Sequence, residues 1–297
     1  MKIGGFELQE PEPALGESHA ISMLSPWLDA GNVGTLTLTR LEQSMGAQEV
    51  ARLTIPGDYF DFTRYRPTTT QVEGRRVLNV PNAVISYARG DGNPDLILCR
   101  VLEPHASAEK YIASLVEVLT TLKVKRYCRI GAMYDAVPHT RPILISGTLN
   151  GKPLVDPEGE VVTRPRRRSY RGPTTILNLL NEQLEQQGIE SMTLMARIPQ
   201  YLQLEDDYSG VGRMLEVLAG HYHLPFEFPE VEKGRRQYAQ VEGELERNRS
   251  ARDLVQRLET EYDANNGGTP KEEETPLSPE VERFLRDLSG RMENPNE

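Results

Sequence analysis

Apolar runs of strand length alternate with amphipathic stretches of helix length from about residue 20 to residue 228. The clearest helix runs from Ser107 to Leu122, where apolar residues recur at helical spacing on one face. It lies between two apolar runs, residues 95–102 and 124–130. Strands that are separated by helices form a mostly parallel sheet with helices on both faces. The alternation therefore predicts an α/β protein, a three-layer α/β/α sandwich with a mostly parallel sheet.

The same two periodicities predict the remaining elements. The predicted strands are residues 20–25, 50–55, 143–148 and 191–196, together with a strand pair in 77–88 that turns near Pro81-Asn82. The predicted helices are residues 33–45, ending at Gly46, 174–187 and 210–219. Asn150-Gly151 is a strong turn dipeptide, so a hairpin is expected after residue 148.

The composition changes after residue 228, and this change predicts the domain organisation. Acids outnumber bases 17 to 11 over residues 229–297. We expect an α/β/α domain over 1–228, a helical extension over 229–262, a flexible linker over 263–277 and a terminal helix and tail over 278–297. The extension is predicted as two helices broken near Asn248, with Ser250 and Asp253 forming a capping box at the start of the second helix.

Composition and charge exclude several classes of protein. The longest apolar runs fall short of the ~20 residues that a membrane span needs, so no membrane association is expected. The net charge of −10 argues against nucleic-acid binding. Residues 1–17 are polar and lack the apolar core of a signal peptide. Cys99 and Cys128 lie inside apolar runs, which predicts buried thiols in a reducing cytoplasm. We expect neither a metal nor another cofactor.

The stretch 131–142 contains residue types that are common in catalytic and binding sites. Asp135 follows a predicted strand, and His139, Thr140 and Arg141 lie between Pro138 and a second proline, so the backbone there cannot be the middle of a helix. An imidazole, a guanidinium and an acid could form a general base, an anion clamp and an orienting group. The alternative is a rigid loop that secures its own backbone, or a subunit interface. That alternative is favoured, because no serine or cysteine stands in a nucleophile context.

A second loop contains Asp29, Gly31 and Asn32 directly before a predicted helix. The amino end of that helix could bind an anion. The favoured interpretation is that Asn32 caps the helix while Gly31 makes the turn. The spaced glycines and lysine of a phosphate-binding loop are missing.

Arg166, Arg167 and Arg168 belong to the only strongly basic cluster, residues 164–171. The cluster could bind RNA, a phosphate-bearing ligand or an acidic partner. A solvated loop that pairs with the acidic tail is the favoured interpretation.

Four segments in this order resemble the proteasome-assembling chaperone family in its bacterial branch. They are residues 26–34, the Pro-His-Thr-Arg-Pro turn at 138–142, residues 170–177 and residues 188–201. Pro26, Thr175 and Gln200 depart from the family's pattern. The resemblance implies a phosphorylase/hydrolase-like sheet, self-association with a trimer as the first expectation, and proteasome-like subunits as candidate partners.

Two functions remain open at this point, beside a third possibility, a purely structural oligomer whose function lies in the tail helices. The favoured one is a non-enzymatic protein-interaction or assembly-chaperone-like protein. The alternative is a small-molecule-binding protein or an enzyme that uses loops at the carboxyl edge of the sheet. Some relatives bear an ATP-grasp label, but this sequence shows no paired metal carboxylates with a glycine loop to support it. Whether the protein is an enzyme stays open, with no activity favoured.

Overall fold

The computed structural model describes residues 1–10, 13–72, 74–90, 93–154, 172, 174–225, 227–245 and 247–266. The strands among them are β1 (Lys2–Ile3), β2 (Phe6–Leu8), β3 (Ser18–Ser25), β4 (Gln48–Leu53), β5 (Thr68–Val72), β6 (Arg75–Asn79), β7 (Val84–Ala88), β8 (Asp95–Leu102), β9 (Val124–Asp135), β10 (Leu144–Leu149), β11 (Lys152–Pro153) and β12 (Glu190–Pro199). The α-helices are α1 (Val33–Met45), α2 (Ala108–Thr121), α3 (Ile176–Gln186), α4 (Tyr208–Tyr222), α5 (Pro229–Leu245) and α6 (Arg249–Asn266).

Ten of these strands form one sheet, in the order β1-β2-β4-β7-β8-β3-β9-β12-β10-β11. Its centre, β8, β3, β9 and β12, is parallel, which is what strands separated by helices predict. Antiparallel strands extend the sheet on both sides. The hairpin predicted at Asn150-Gly151 is present as β10–β11. The α/β sandwich expected from the sequence is therefore confirmed.

Alternate side chains of the central strands enter two separate cores, one on each face of the sheet. In β3, Ile21 and Met23 belong to one core, whereas Ala20 and Leu24 belong to the other. The first core is covered by α1, α4, α5 and α6, and the second by α2 and α3. Leu115, on the apolar stripe predicted for α2, is 1% exposed. Two helical layers on one sheet make the three-layer sandwich.

The C-terminal helices pack onto this sandwich. Val241 of α5 and Leu254 of α6 are buried in the same core as Ile198 of β12. The break falls at Asn248, as predicted, but the cap differs: the Asn248 Oδ1 accepts a hydrogen bond from the Ala251 N–H at 3.1 Å. The predicted Ser250 capping box is therefore wrong, because α6 begins one residue before Ser250. The predicted terminal helix, and the predicted linker after residue 266, lie outside the described residues.

Two parts of the sheet differ from the sequence prediction. Residues 77–88 do not form a strand pair, because β6 pairs with β5 in a separate two-stranded sheet while β7 pairs with β4 and β8. Near the amino terminus, Phe6 and Leu8 lie in β2, the second strand from the edge of the sheet, and are 0% and 2% exposed. Their alternation was a strand signal that the surrounding prolines and acids obscured.

Both cysteines are buried free thiols, as predicted. Burial raises the pKa of each thiol to about 12, so neither is a reactive thiolate near neutral pH.

Candidate functional site

Most of the predicted site residues lie on loops at the edge where the parallel strands end. The loops are residues 26–32 after β3, 136–143 after β9 and 200–207 after β12. Backbone hydrogen bonds join the first loop to β9 and to the third loop. The Ala132 N–H of β9 donates to the Leu28 oxygen at 2.7 Å, and the Asp207 N–H donates to the Gly31 oxygen at 2.9 Å. The carboxyl edge of the sheet is therefore one connected structure.

Two glycines allow this close approach. Gly31 has a φ of 59°, and a Cβ there would lie 2.7 Å from the Cβ of Asp207. At Gly131 a Cβ would collide with the backbone oxygen of Leu28. Any larger residue at either position would push the loops apart.

Asp29 caps helix α1 with both of its carboxylate oxygens. Its Oδ1 accepts hydrogen bonds from the Gly34 and Thr35 N–H groups at 2.7 and 3.1 Å, and its Oδ2 accepts one from the Thr35 hydroxyl at 2.7 Å. Asn32, the predicted cap, makes no side-chain capping bond. Its Nδ2 donates instead to Asp206 Oδ1 at 2.9 Å. The helix end that could have bound an anion already holds the Asp29 carboxylate.

His139 is buried between two tyrosines. The Tyr201 hydroxyl lies 2.9 Å from the His139 backbone N–H, which donates to it, and 2.5 Å from His139 Nδ1. The rings of Tyr201 and Tyr238 both meet the imidazole edge-on, with centroids 5.9 Å away. Burial lowers the pKa of His139 to about 4, so the imidazole is neutral at pH 7. Its Nε2 has no hydrogen-bond partner among the described residues.

The Asp135 and Arg141 side chains bind elsewhere, so the predicted acid–histidine–guanidinium set is not assembled. Asp135 Oδ2 lies 3.2 Å from Arg197 Nη1. Arg141 binds Asp263 through two parallel hydrogen bonds of 2.9 and 2.8 Å. The three predicted residues share the edge, but each one contacts a different partner.

Helix α6 holds the loop 136–143, hereafter the His139 loop. The Thr140 hydroxyl donates to Glu259 Oε1 at 2.6 Å, and the Tyr262 hydroxyl donates to the Pro142 oxygen at 2.9 Å. Glu259, Tyr262 and Asp263 lie at positions i, i+3 and i+4, on one face of helix α6. That spacing was visible in the sequence, but nothing in it indicated which loop the face would bind.

Asp207 links this region to α5. It caps α4 by accepting a hydrogen bond from the Gly210 N–H at 2.8 Å, and its Oδ2 accepts one from the Tyr238 hydroxyl at 2.8 Å. Burial raises the pKa of the Asp207 carboxyl. Helix α5 approaches closely enough for this contact because Gly234 has no side chain. A Cβ at this position would lie 2.5 Å from the Ser209 nitrogen. Sequence reasoning missed Asp207 and Tyr238, which lie 31 residues apart.

A cleft of about 500 Å³ lies between the His139 loop, α4 and α5. Its apolar wall includes Ile143, Val231 and Ala239, and His139 lines it. Guanidinium and carboxylate groups of both helices also line it, including Arg213, which lies 3.3 Å from Glu216 in an exposed ion pair.

Another part of the edge exposes large apolar side chains to solvent. Trp27 and Leu28 are 57% and 39% exposed, and Met133 and Tyr134 are 43% and 40% exposed. A parallel bridge between Asp29 and Ala132 places the two pairs side by side. We call Trp27, Leu28, Met133 and Tyr134 the apolar edge patch.

Arg166, Arg167 and Arg168 lie outside the described residues. Within the described ranges, no group of three or more His, Cys, Asp or Glu side chains is placed to hold a metal ion. Among the same residues, none of the helices combines the length and apolar character that crossing a membrane would take.

The fold is that of an α/β/α sandwich with loops joined at the carboxyl edge of its sheet. Comparison with known proteins identifies the family. The sequence matches the PAC2 family over residues 23–247, so the chain belongs to that family. This confirms the resemblance to proteasome-assembling chaperones. No curated protein matches the sequence.

Three solved structures illustrate the similarity. A protein of unknown function from Corynebacterium glutamicum is 17% identical, with a TM-score of 0.77 over 90% of this chain and 99% of that one. A protein of unknown function from Mycobacterium tuberculosis is 24% identical, with a TM-score of 0.76 over 97% and 98%. A proteasome-assembly chaperone homologue from Mycobacterium tuberculosis is 20% identical, with a TM-score of 0.67 over 80% and 99%. At these identities the comparison establishes the fold.

Proposed function

We propose that this protein is a non-enzymatic, assembly-chaperone-like protein that binds another protein through the apolar edge patch and also associates with itself. A trimer is the expected oligomer, and proteasome-type subunits are the expected class of partner. The cytoplasm is the expected location, in keeping with two buried free thiols.

The apolar edge patch is the main observation that supports this proposal. Four large apolar or aromatic side chains are exposed on two adjoining backbone segments, at an edge whose polar side chains are largely engaged by internal partners. Exposed aromatic and methionine side chains are typical of the centres of protein interfaces. A catalytic site would show the reverse arrangement, with polar groups converging on a pocket. Membership in the PAC2 family supports the same class of function.

Binding to purified proteasome α- and β-subunits, measured by biolayer interferometry, tests this proposal. Trp27→Ser and Met133→Ser should each weaken binding by about tenfold or more, because hot-spot residues dominate interface energy. Leu179→Ser is the matched control, since Leu179 is 52% exposed on α3 and is not part of the apolar edge patch. Binding that is absent, or equally strong in all four proteins, would contradict the proposal.

A second candidate function rests on the cleft beside His139. The Tyr201 hydroxyl oxygen accepts a hydrogen bond from the His139 backbone N–H. The one proton of this hydroxyl can therefore be donated to His139 Nδ1. That arrangement places the remaining ring proton on Nε2, where it is a buried donor without a partner among the described residues. A small apolar molecule with a hydrogen-bond acceptor would satisfy this donor.

Long-range ¹H–¹⁵N spectra of the imidazoles test the second candidate. Aromatic carboxylates and the corresponding amides serve as probes, and a binding probe should shift the Nε2 signal of His139. Ala239→Trp, a change on the exposed face of α5, should fill the cleft and abolish the shift. An unchanged Nε2 signal with every probe would exclude this function.

A further inference from the structure

One part of the molecule stands apart from both cores. β5 and β6 pair only with each other and form a separate two-stranded sheet. Every described residue of 66–80 is exposed, on both faces of the hairpin. We call residues 66–80 the hairpin arm.

The arm carries apolar side chains on both faces. The register pairs Thr70 with Val77 and Thr69 with Leu78, so Val77 and Leu78 point to opposite faces. Val72, Val77 and Leu78 are 53%, 38% and 62% exposed. The side-chain hydrogen bonds recorded within the hairpin, such as Asn79 Nδ2 to Thr70 Oγ1 at 3.1 Å, stay inside it. The body of the protein therefore contributes little to holding the arm in shape.

An isolated two-stranded hairpin is at best marginally stable in water. Its outer strand edges and its exposed valines and leucine also invite pairing with another chain. A partner surface would stabilise an exposed arm of this kind.

Charge indicates which partner. The arm contains three arginines, Arg66, Arg75 and Arg76, against one acid, Glu73, which is a net charge of +2. Because the whole chain carries −10, the rest of the chain carries −12. The rest of every other copy is therefore acidic on balance, which favours its association with a basic arm.

We propose that the hairpin arm inserts between acidic surfaces of a second copy of this chain, with Val77 making apolar contacts on one face of the arm and Leu78 on the other. This inference rests on the self-association in the proposed function and names the element that produces it. The apolar edge patch stays free for the other partner.

Sedimentation velocity of the full chain at micromolar concentration tests the proposal. The double variant Val77→Ser/Leu78→Ser should raise the dissociation constant of self-association by about tenfold or more. Arg75→Glu/Arg76→Glu should do the same, and its effect should shrink as salt is added. The matched controls are Leu179→Ser and Arg235→Glu/Arg236→Glu, which change an exposed leucine and two exposed arginines elsewhere.

Because the arm lies outside both cores, its variants should match the wild-type melting temperature at concentrations low enough to dissociate both, and differ only by the stability that self-association adds. Arm amides should exchange slowly with solvent in the wild-type oligomer and rapidly in the two arm variants. Arm variants that sediment like the wild-type oligomer would overturn the arm proposal and leave self-association standing. A monomeric wild type would overturn both, while binding through the apolar edge patch is decided separately by interferometry.

Discussion

The His139 loop and the loop of Trp27 lie on the same edge of the sheet and differ in what they leave unpaired. In the first, Thr140, Arg141 and the His139 backbone bind partners on α6 and the 200–207 loop. In the second, Asp29 completes a helix cap while Trp27 remains in solvent. Residue types that suggest catalysis can thus hold a loop in place, and the candidate interface is where large apolar side chains remain exposed.

A core truncation sets the energy scale for this comparison. Leu115→Ala removes a 1% exposed side chain from the core under α2 and should lower the free energy of unfolding by about 2–5 kcal/mol. Urea denaturation measures it. A loss below about 0.5 kcal/mol, the range of surface changes, would show that α2 does not bury this face.

The pH dependence of stability should reveal the buried His139. Its pKa is lowered from 6.5 to about 4 by burial, with Glu259 offsetting part of the effect. Between these values the unfolded chain binds the proton and the folded chain does not, so stability should fall as the pH drops from 6.5 towards 4 and be unaffected above. The loss should reach about 3 kcal/mol, at about 1.4 kcal/mol per pKa unit.

The control is His139→Asn, which should flatten the urea-midpoint profile over that pH window. His19 and His221 also have lowered pKa values, so the difference between the two profiles isolates His139. Identical slopes in both proteins would contradict a buried, neutral His139.

Removing one hydroxyl beside each loop compares the two regions directly. Tyr201→Phe leaves the His139 N–H and Nδ1 without their partner and should cost about 1–3 kcal/mol. Tyr134→Phe removes the same atom from a residue that is 40% exposed and whose hydroxyl meets the Gly31 backbone, and should cost less, about 1 kcal/mol or below. Equal losses in chemical denaturation would erase the distinction between the two loops.

The smallest effect is expected at the rim of the His139 loop. Asp263→Asn weakens a solvent-exposed pair with Arg141, and such pairs contribute little to stability. The melting temperature should change within experimental error at physiological salt. A decrease as large as that of Tyr201→Phe would mean that α6 holds the loop mainly through this ion pair.

Much of the architecture could be predicted because it follows from local periodicity. The apolar stripe containing Leu115 and the apolar runs on either side of it specify helix and strands without reference to the rest of the chain. The carboxyl edge could be predicted too, because parallel strands end on one side. The β1–β2 edge was missed because Phe6 and Leu8 stand among polar residues.

The partners at the edge could not be predicted, because they come from distant parts of the chain. Thr140 and Glu259 lie 119 residues apart, and Asn32 and Asp206 lie 174 apart. A single sequence shows the polar residues but not which tertiary contact each one makes. This is why Asp135, His139 and Arg141 suggested one site, whereas the fold gives them separate partners.

Hydrogen–deuterium exchange of the protein bound to a proteasome-type subunit shows directly whether the apolar edge patch is the surface that binds. Binding through the apolar edge patch should slow exchange in residues 27–29 and 132–134 and leave residues 139–143 unchanged. Slowed exchange confined to residues 139–143 and the cleft-facing turns of α4 and α5, with the patch unaffected, would contradict the account and favour the cleft as the working site.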